Sequence, residues 1–99
     1  MKKISEKELE RAIRHFNHRA VYVYIKGIIG GKNTIQNAKC SYDITKGNLV
    51  IYDAISEDNV EIEMSMAYQI LLSKDRKILE IKIDDDQCVR IERIEKKIG

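Results

Sequence analysis

Four basic side chains near the start of the chain fall at a spacing suited to anion recognition. Lys7, Arg11, Arg14 and His18 recur at i, i+4, i+7 and i+11, which on a helix places them along one stripe. Such a stripe binds phosphate backbones through charge and counterion release. Arg19, Lys26, Lys32 and Lys39 lie close enough in the chain to extend it. Nucleic-acid phosphate is the anion these residues suit, and Tyr22 or Tyr24 is available to stack a base. Charge is segregated along the sequence. Residues 1–50 hold ten Lys or Arg against four acids, a net of +6, and residues 51–99 hold eight against twelve, a net of −4. The competing reading is a solvated helix face in which Glu10 pairs with Arg14 and the acidic half cancels the field, since the whole chain carries only +2.

Other constellations fall short of a site. His15 and His18 stand at i, i+3, but zinc takes three or four ligands and no Cys, Asp or Glu nearby in sequence completes the set. Asp84-Asp85-Asp86 lacks the twelve-residue spread, central Gly and closing Glu of a calcium loop, and reads as a hairpin tip. Gly27-Ile28-Ile29-Gly30-Gly31-Lys32-Asn33-Thr34 superficially suggests a phosphate loop. Its first Gly is one place late, Asn33 holds the hydroxyl position, and a strand follows where a helix is required. The same run resembles the Ile-Ile-Gly and glycine-loop core of KH domains, without the second glycine. Ser5, Ser41, Ser56, Ser65 and Ser73 show no recognisable nucleophile elbow. Cys40 and Cys88 each lie in a strand-forming run and read as small, reduced, apolar-packed side chains. No catalytic residue, metal ligand or cofactor is expected.

The elements that position these residues follow from periodicity. Ser5-Glu6-Lys7-Glu8 has the form of a capping box, and Leu9, Ala12, Ile13 and Phe16 follow on one face of a 3.6-residue period, predicting a helix over 5–18. The period then becomes two. Val21, Val23 and Ile25 share one face and Tyr22 and Tyr24 the other. Gly30-Gly31-Lys32-Asn33 reads as a turn. Ala38, Cys40, Tyr42 and Ile44 alternate with polar residues up to a second turn at Thr45-Lys46-Gly47-Asn48. Leu49 to Tyr52, Val60 to Met66, Leu79 to Ile83 and Val89 to Ile91 read as further strands, and Ala67 to Leu72 fits a strand or a helical turn.

This order gives an α+β fold, a single domain over 1–99 with an N-terminal helix and five or six short antiparallel strands over 20–94. They are expected to form a curled sheet or a small, partly open barrel. The capped helix followed by Val21-Tyr22-Val23-Tyr24-Ile25-Lys26-Gly27 and bent strands resembles the Sm-like RNA-binding barrels over about residues 5–72. That resemblance implies rings of subunits on single-stranded RNA, and it carries over no binding residue.

Hydrophobic residues at 43% suffice for a core burying roughly 65% of the unfolded surface, which excludes a disordered or collagen-like chain. No apolar run approaches the roughly 18 residues of a membrane span. The start of the chain lacks the apolar run of a signal peptide, so a cytoplasmic protein with no membrane partner is expected. Ile and Lys dominate while Pro and Trp are absent, a bias that AT-rich coding in a low-GC bacterium or its mobile elements produces. Two functions fit. One is a small non-enzymatic module contacting nucleic-acid backbone through its basic half. The other is a protein-interaction module, an inhibitor or accessory factor, without nucleic-acid binding. Tyr22 and Tyr24 mark an apolar strand face that a second copy would cover, so a homodimer or higher oligomer is expected.

Overall fold

Local sequence explains most elements of the computed structural model, which describes residues 1–26, 31–43, 45–57, 59–67, 69–84 and 86–94, except for the side chains of 31–33 and 66. A two-residue strand β1 (Lys2–Lys3) precedes helix α1 (Glu6–Ala12), which passes into a 3-10 turn at Ile13–Phe16. Strands β2 (Val21–Lys26), β3 (Gly31–Ile35), β4 (Ala38–Asp43), β5 (Asn48–Asp53) and β6 (Asn59–Glu63) follow. After a 3-10 turn at Met64–Met66 come β7 (Gln69–Leu72), β8 (Ile78–Lys82) and β9 (Cys88–Arg93).

All strand pairs are antiparallel. They form a six-stranded sheet, ordered β1-β7-β8-β9-β2-β3, and a three-stranded sheet, ordered β4-β5-β6. The antiparallel expectation holds, but the sheets do not close into a barrel. The strands also exceed the five or six read from sequence. β1 has no apolar residue to betray it, and β3 takes in Gly31, Lys32 and Asn33, which the glycine pair marks as a turn. Residues 27–30, the rest of that glycine run, lie outside the described part.

One core joins both sheets and the helix. Val21, Val23, Leu79, Ile81 and Ile91 of the large sheet, Ala38, Leu49 and Ile51 of the small one, and Leu9 and Phe16 of the helical segment are fully buried. A large side chain buried in this way contributes about 1.5–3 kcal/mol. The Cα radius of gyration, 12.7 Å, is that of one compact unit of about 100 residues.

The helix is shorter than the predicted 5–18. Its start is as expected, since the Ser5 hydroxyl accepts from the Glu8 N–H at 3.2 Å. Its end tightens into the 3-10 turn and stops at Asn17, whose backbone is extended (φ −70°, ψ 141°). Asn17 Oδ1 accepts from the Cys40 N–H at 2.6 Å, His18 donates its N–H to the Ala38 carbonyl, and Ala38 donates to the Arg19 carbonyl. Tertiary hydrogen bonds to β4 thus replace the last helical turn. At the other end, Ile4 donates to the Ile70 carbonyl and β1 pairs with β7. The helix is moored to one strand of each sheet.

The passage from β3 to β4, where the chain changes sheet, is held by Asp53, a carboxylate only 3% exposed. Its Oδ2 accepts from the Gln36 N–H at 3.2 Å and its Oδ1 from the Ile55 N–H at 2.9 Å. The Ile55 N–H is the main cause holding this carboxyl below its ordinary value of 3.8; burial opposes it, and Gln36 and Ser56 add to it. A carboxyl whose pKa is depressed by folding stabilises the fold above its unfolded value and loses that contribution as pH falls through the folded value. In urea titrations followed by circular dichroism, Asp53→Asn is expected to lower the midpoint clearly at pH 7. The two curves should converge as pH falls below the ordinary value of 3.8 and through the lower folded value. An unchanged gap at low pH would refute the role of the charge.

Candidate anion-binding cleft

The sequence stripe divides when folded. Lys7, Arg11 and Arg14 are exposed along the helical segment, and the 3-10 turn, at about 120° per residue, keeps Arg14 near Arg11. His18 leaves the stripe because the chain has left the helix: its φ is +60°, and it lies with Arg19 beside β4, the strand that carries Lys39. Lys26 ends β2 opposite Cys88, which in turn faces Lys82 at the far end of β8. The side chain of Lys32 is outside the described part. Among the described residues no ion pair joins Glu10 to Arg14, because the tighter turn rotates Arg14 away from the i, i+4 position.

Tyr22 and Tyr24 are half-buried on the outer face of the large sheet, their ring centroids 6.0 Å apart. The helix packs on the inner face, with Val21 and Val23. The tyrosines and the basic stripe therefore lie on opposite sides of the sheet and do not form one base-stacking surface. Beside them, Arg90 reaches Glu80 at 4.0 Å and Glu92 at 3.7 Å, pairs exposed enough to contribute at most about 1 kcal/mol each.

A different basic cluster forms where the helix face bearing Glu8, Arg11, Ala12 and His15 meets β1, the end of β7 and the β7–β8 turn. A cleft of about 540 Å³ opens there, with Lys2, Arg11, His15, Lys74 and Arg76 on its walls. Register explains how Lys2 reaches it: Lys2 pairs with Leu72, whose side chain packs toward the core, so both face the helix side. The β7–β8 turn is built by two side chains. Ser73 Oγ accepts from the Lys77 and Ile78 N–H groups at 3.1 and 2.9 Å and donates to Asp75 Oδ1 at 2.6 Å. That hydrogen bond is the main cause holding the Asp75 carboxyl below its ordinary value. The turn forces Arg76 to φ +62°, a region that costs a residue with a Cβ about 1 kcal/mol or more. Its Nη1 lies 3.5 Å from His15 Nε2.

The cleft is electrostatically one-sided. Glu8 is its one acid among the described lining residues, and it is turned toward Ser5 Oγ at 3.5 Å. The other first-turn acid, Glu6, faces Tyr42 of β4, whose phenol is raised first by burial and then by that carboxylate. Among the described residues, no carboxylate lies within ion-pair distance of Lys2, Arg11, Lys74 or Arg76. At 0.1 M salt the Debye length is about 10 Å, so cations lining a space of this size act together on one ligand. Lys74 and Arg76 come from the half of the sequence with net charge −4, and a count by halves cannot find them. The local signal was the Ser73-x-Asp75 turn, which fixes where two flanking cations project.

The remaining sequence candidates are not assembled into sites. Asp84 and Asp86 are exposed at the β8–β9 turn, where Asp84 Oδ1 accepts from the Asp86 and Gln87 N–H groups; Asp85 lies outside the described part. No group of three or more His, Cys, Asp or Glu suited to a metal occurs among the described residues. No helix among them is long and apolar enough to cross a membrane. Comparison of the chain with protein-family models, curated proteins and solved structures returns no match.

Two expectations follow from this geometry. Arg76→Gly removes the left-handed strain and should stabilise the fold by about 0.5–1 kcal/mol, a rise in Tm of roughly 3–6 °C for a domain of this size. A fall in Tm would mean that the arginine holds the turn. Burial raises the Cys40 thiol to about 12, so at pH 8 about one part in ten thousand is thiolate. Cys88 is half-exposed on the outer sheet face. A disulfide reagent should therefore modify one thiol per native chain rapidly, and Cys88→Ser should abolish that phase.

Proposed function

We propose that the chain is a small non-catalytic binding module that contacts nucleic-acid phosphates through the cleft between the helix and the β7–β8 turn. The observation carrying this reading is the convergence of Lys2, Arg11, Lys74 and Arg76 from separate elements on one cleft, with no carboxylate among the described residues within ion-pair distance of them. A rigid turn and a moored helix hold these cations before any ligand arrives, which lowers the ordering cost of binding. The reading keeps the backbone-binding function expected from the sequence and relocates it. Arg11 belongs to the cleft, Lys7 and Arg14 flank it on the helix, and Lys26 lies at the opposite end of the sheet.

Salt dependence provides the test. Four cations on a single strand predict a slope of about −0.7 per phosphate, so raising salt from about 50 to about 200 mM should weaken binding roughly 50-fold. Fluorescence anisotropy with a labelled single-stranded oligonucleotide measures this. Arg11→Glu with Lys74→Glu should abolish binding, while Lys26→Glu should leave it within about twofold. Absence of association at about 50 mM salt, or equal damage from Lys26→Glu, would overturn the proposal.

A further inference from the structure

We propose that the cleft recognises a phosphomonoester, the terminal phosphate of a nucleic-acid strand, and that Arg76 and His15 form its clamp. The inference rests on the nucleic-acid reading above and specifies which phosphate is taken. Three observations carry it. The first is shape: a cleft of about 540 Å³ falls within the range of small-ligand sites, about 300–1,000 Å³. It has room for a strand end, whereas a strand bound along its length runs over an extended groove.

The second is the donor set. Arg76 Nη1 and His15 Nε2 stand 3.5 Å apart, a separation at the limit of hydrogen bonding, so the guanidinium keeps nearly all of its five donors available. Two such groups side by side on the cleft wall suit one phosphorus centre. A monoester presents three terminal oxygens and up to two negative charges. A diester presents two such oxygens and one charge, and must extend chain in both directions. Lys2, Arg11 and Lys74 add positive charge in the same cleft, more than one diester neutralises.

The third is the strained backbone at Arg76. Its φ of +62° is imposed by a turn that glycine would satisfy without cost, yet the side chain it carries lines the cleft. Strain of this kind marks positions where placement of a side chain matters. His18 and Glu57 share a positive φ, but neither lines the cleft.

The test compares two decathymidylates, one with a 5′-phosphate and one with a 5′-hydroxyl, by competition anisotropy at about 100 mM salt. The expected result is at least tenfold tighter binding of the phosphorylated strand. That preference should fall to within twofold in Arg76→Gly, whose raised Tm shows it folded, and in His15→Ala, whose folding is checked by circular dichroism. Thymidine 5′-monophosphate should displace the strand, and more weakly than the phosphorylated decamer does. Equal binding of the two decamers to the native protein would overturn the terminal-phosphate inference and leave the backbone reading standing. Failure of both decamers to bind would remove the backbone reading itself. Displacement by the mononucleotide as strongly as by the phosphorylated decamer would assign the cleft to free nucleotides and overturn the strand-end assignment.

Discussion

The buried carboxylate of Asp53 is the constraint on which the arrangement of the two sheets depends. A charged oxygen pair taken out of water is costly unless it is well hydrogen-bonded, and Asp53 meets that condition by drawing in backbone N–H groups from Gln36 and Ile55. Those donors lie on opposite sides of a topological break, one where β3 leaves the large sheet and one in the turn that leads to β6. The adjacent Ala54 N–H to Asn37 carbonyl bond repeats the link at 3.1 Å. Because β4 begins at Ala38, directly opposite Asp53 in the register, this corner sets where β4 lies. β4 in turn receives Asn17, His18 and Arg19, and so fixes where the helix ends. The cleft stands along the helix face that carries Glu8, Arg11, Ala12 and His15, against β1 and the end of β7. Its geometry therefore inherits the placement of a carboxylate that does not line it.

Hydrogen bonds from short polar side chains do much of the shaping elsewhere. In the β4–β5 turn, Asp43 Oδ1 accepts from the Thr45 and Lys46 N–H groups, and Gly47 takes φ +70°, where glycine pays no steric penalty. In the β7–β8 turn, Ser73 and Asp75 play the corresponding part, but the left-handed position falls on arginine. Among the described residues, the three non-glycine ones at positive φ each have their N–H bonded to a main-chain carbonyl: His18 to Ala38, Glu57 to Asp53 and Arg76 to Ser73. The turns therefore close whatever side chain occupies these sites. What distinguishes Arg76 is the surface onto which its side chain is delivered.

How far the fold was legible follows from the physics of each pattern. Alternation is a strong signal where one face of a strand is buried, and Val21/Val23, Leu49/Ile51, Leu79/Ile81 and Val89/Ile91 are all buried as their spacing requires. The helix face of Leu9, Ala12, Ile13 and Phe16 is equally plain. The signal fails where pairing is made by backbone alone. Lys2–Lys3 and Gly31–Ile35 are edge strands, and their sequence shows little apolar periodicity because edge pairing does not demand it. The helix end was misplaced because Asn17 bonds to Cys40, 23 residues on, a contact with no local trace. The cleft was hidden for a related reason. Arg11 was visible on a helical stripe, but Lys2, Lys74 and Arg76 join it only after β1 pairs with β7, and Lys74 and Arg76 are outvoted by acids in any sum over the second half of the chain.

The fate of those acids gives the molecule's field its direction. Glu61 and Glu63 project from β6, an edge strand of the small sheet, where charge discourages pairing with another chain. Glu80 and Glu92 are engaged by Arg90 on the outer face of the large sheet. Asp84 and Asp86 cap the β8–β9 turn, which the pairing of Lys82 with Cys88 places at the opposite end of β8 from the Ser73–Lys77 turn. These acids thus lie on surfaces away from the cleft, while Lys74 and Arg76 line it and the Asp75 carboxylate between them is taken up by the Ser73 hydroxyl and the Lys77 N–H. A chain of net charge +2 can present a strongly positive concavity under these conditions. A low overall charge limits nonspecific attraction, while a local cluster of cations keeps a directional field.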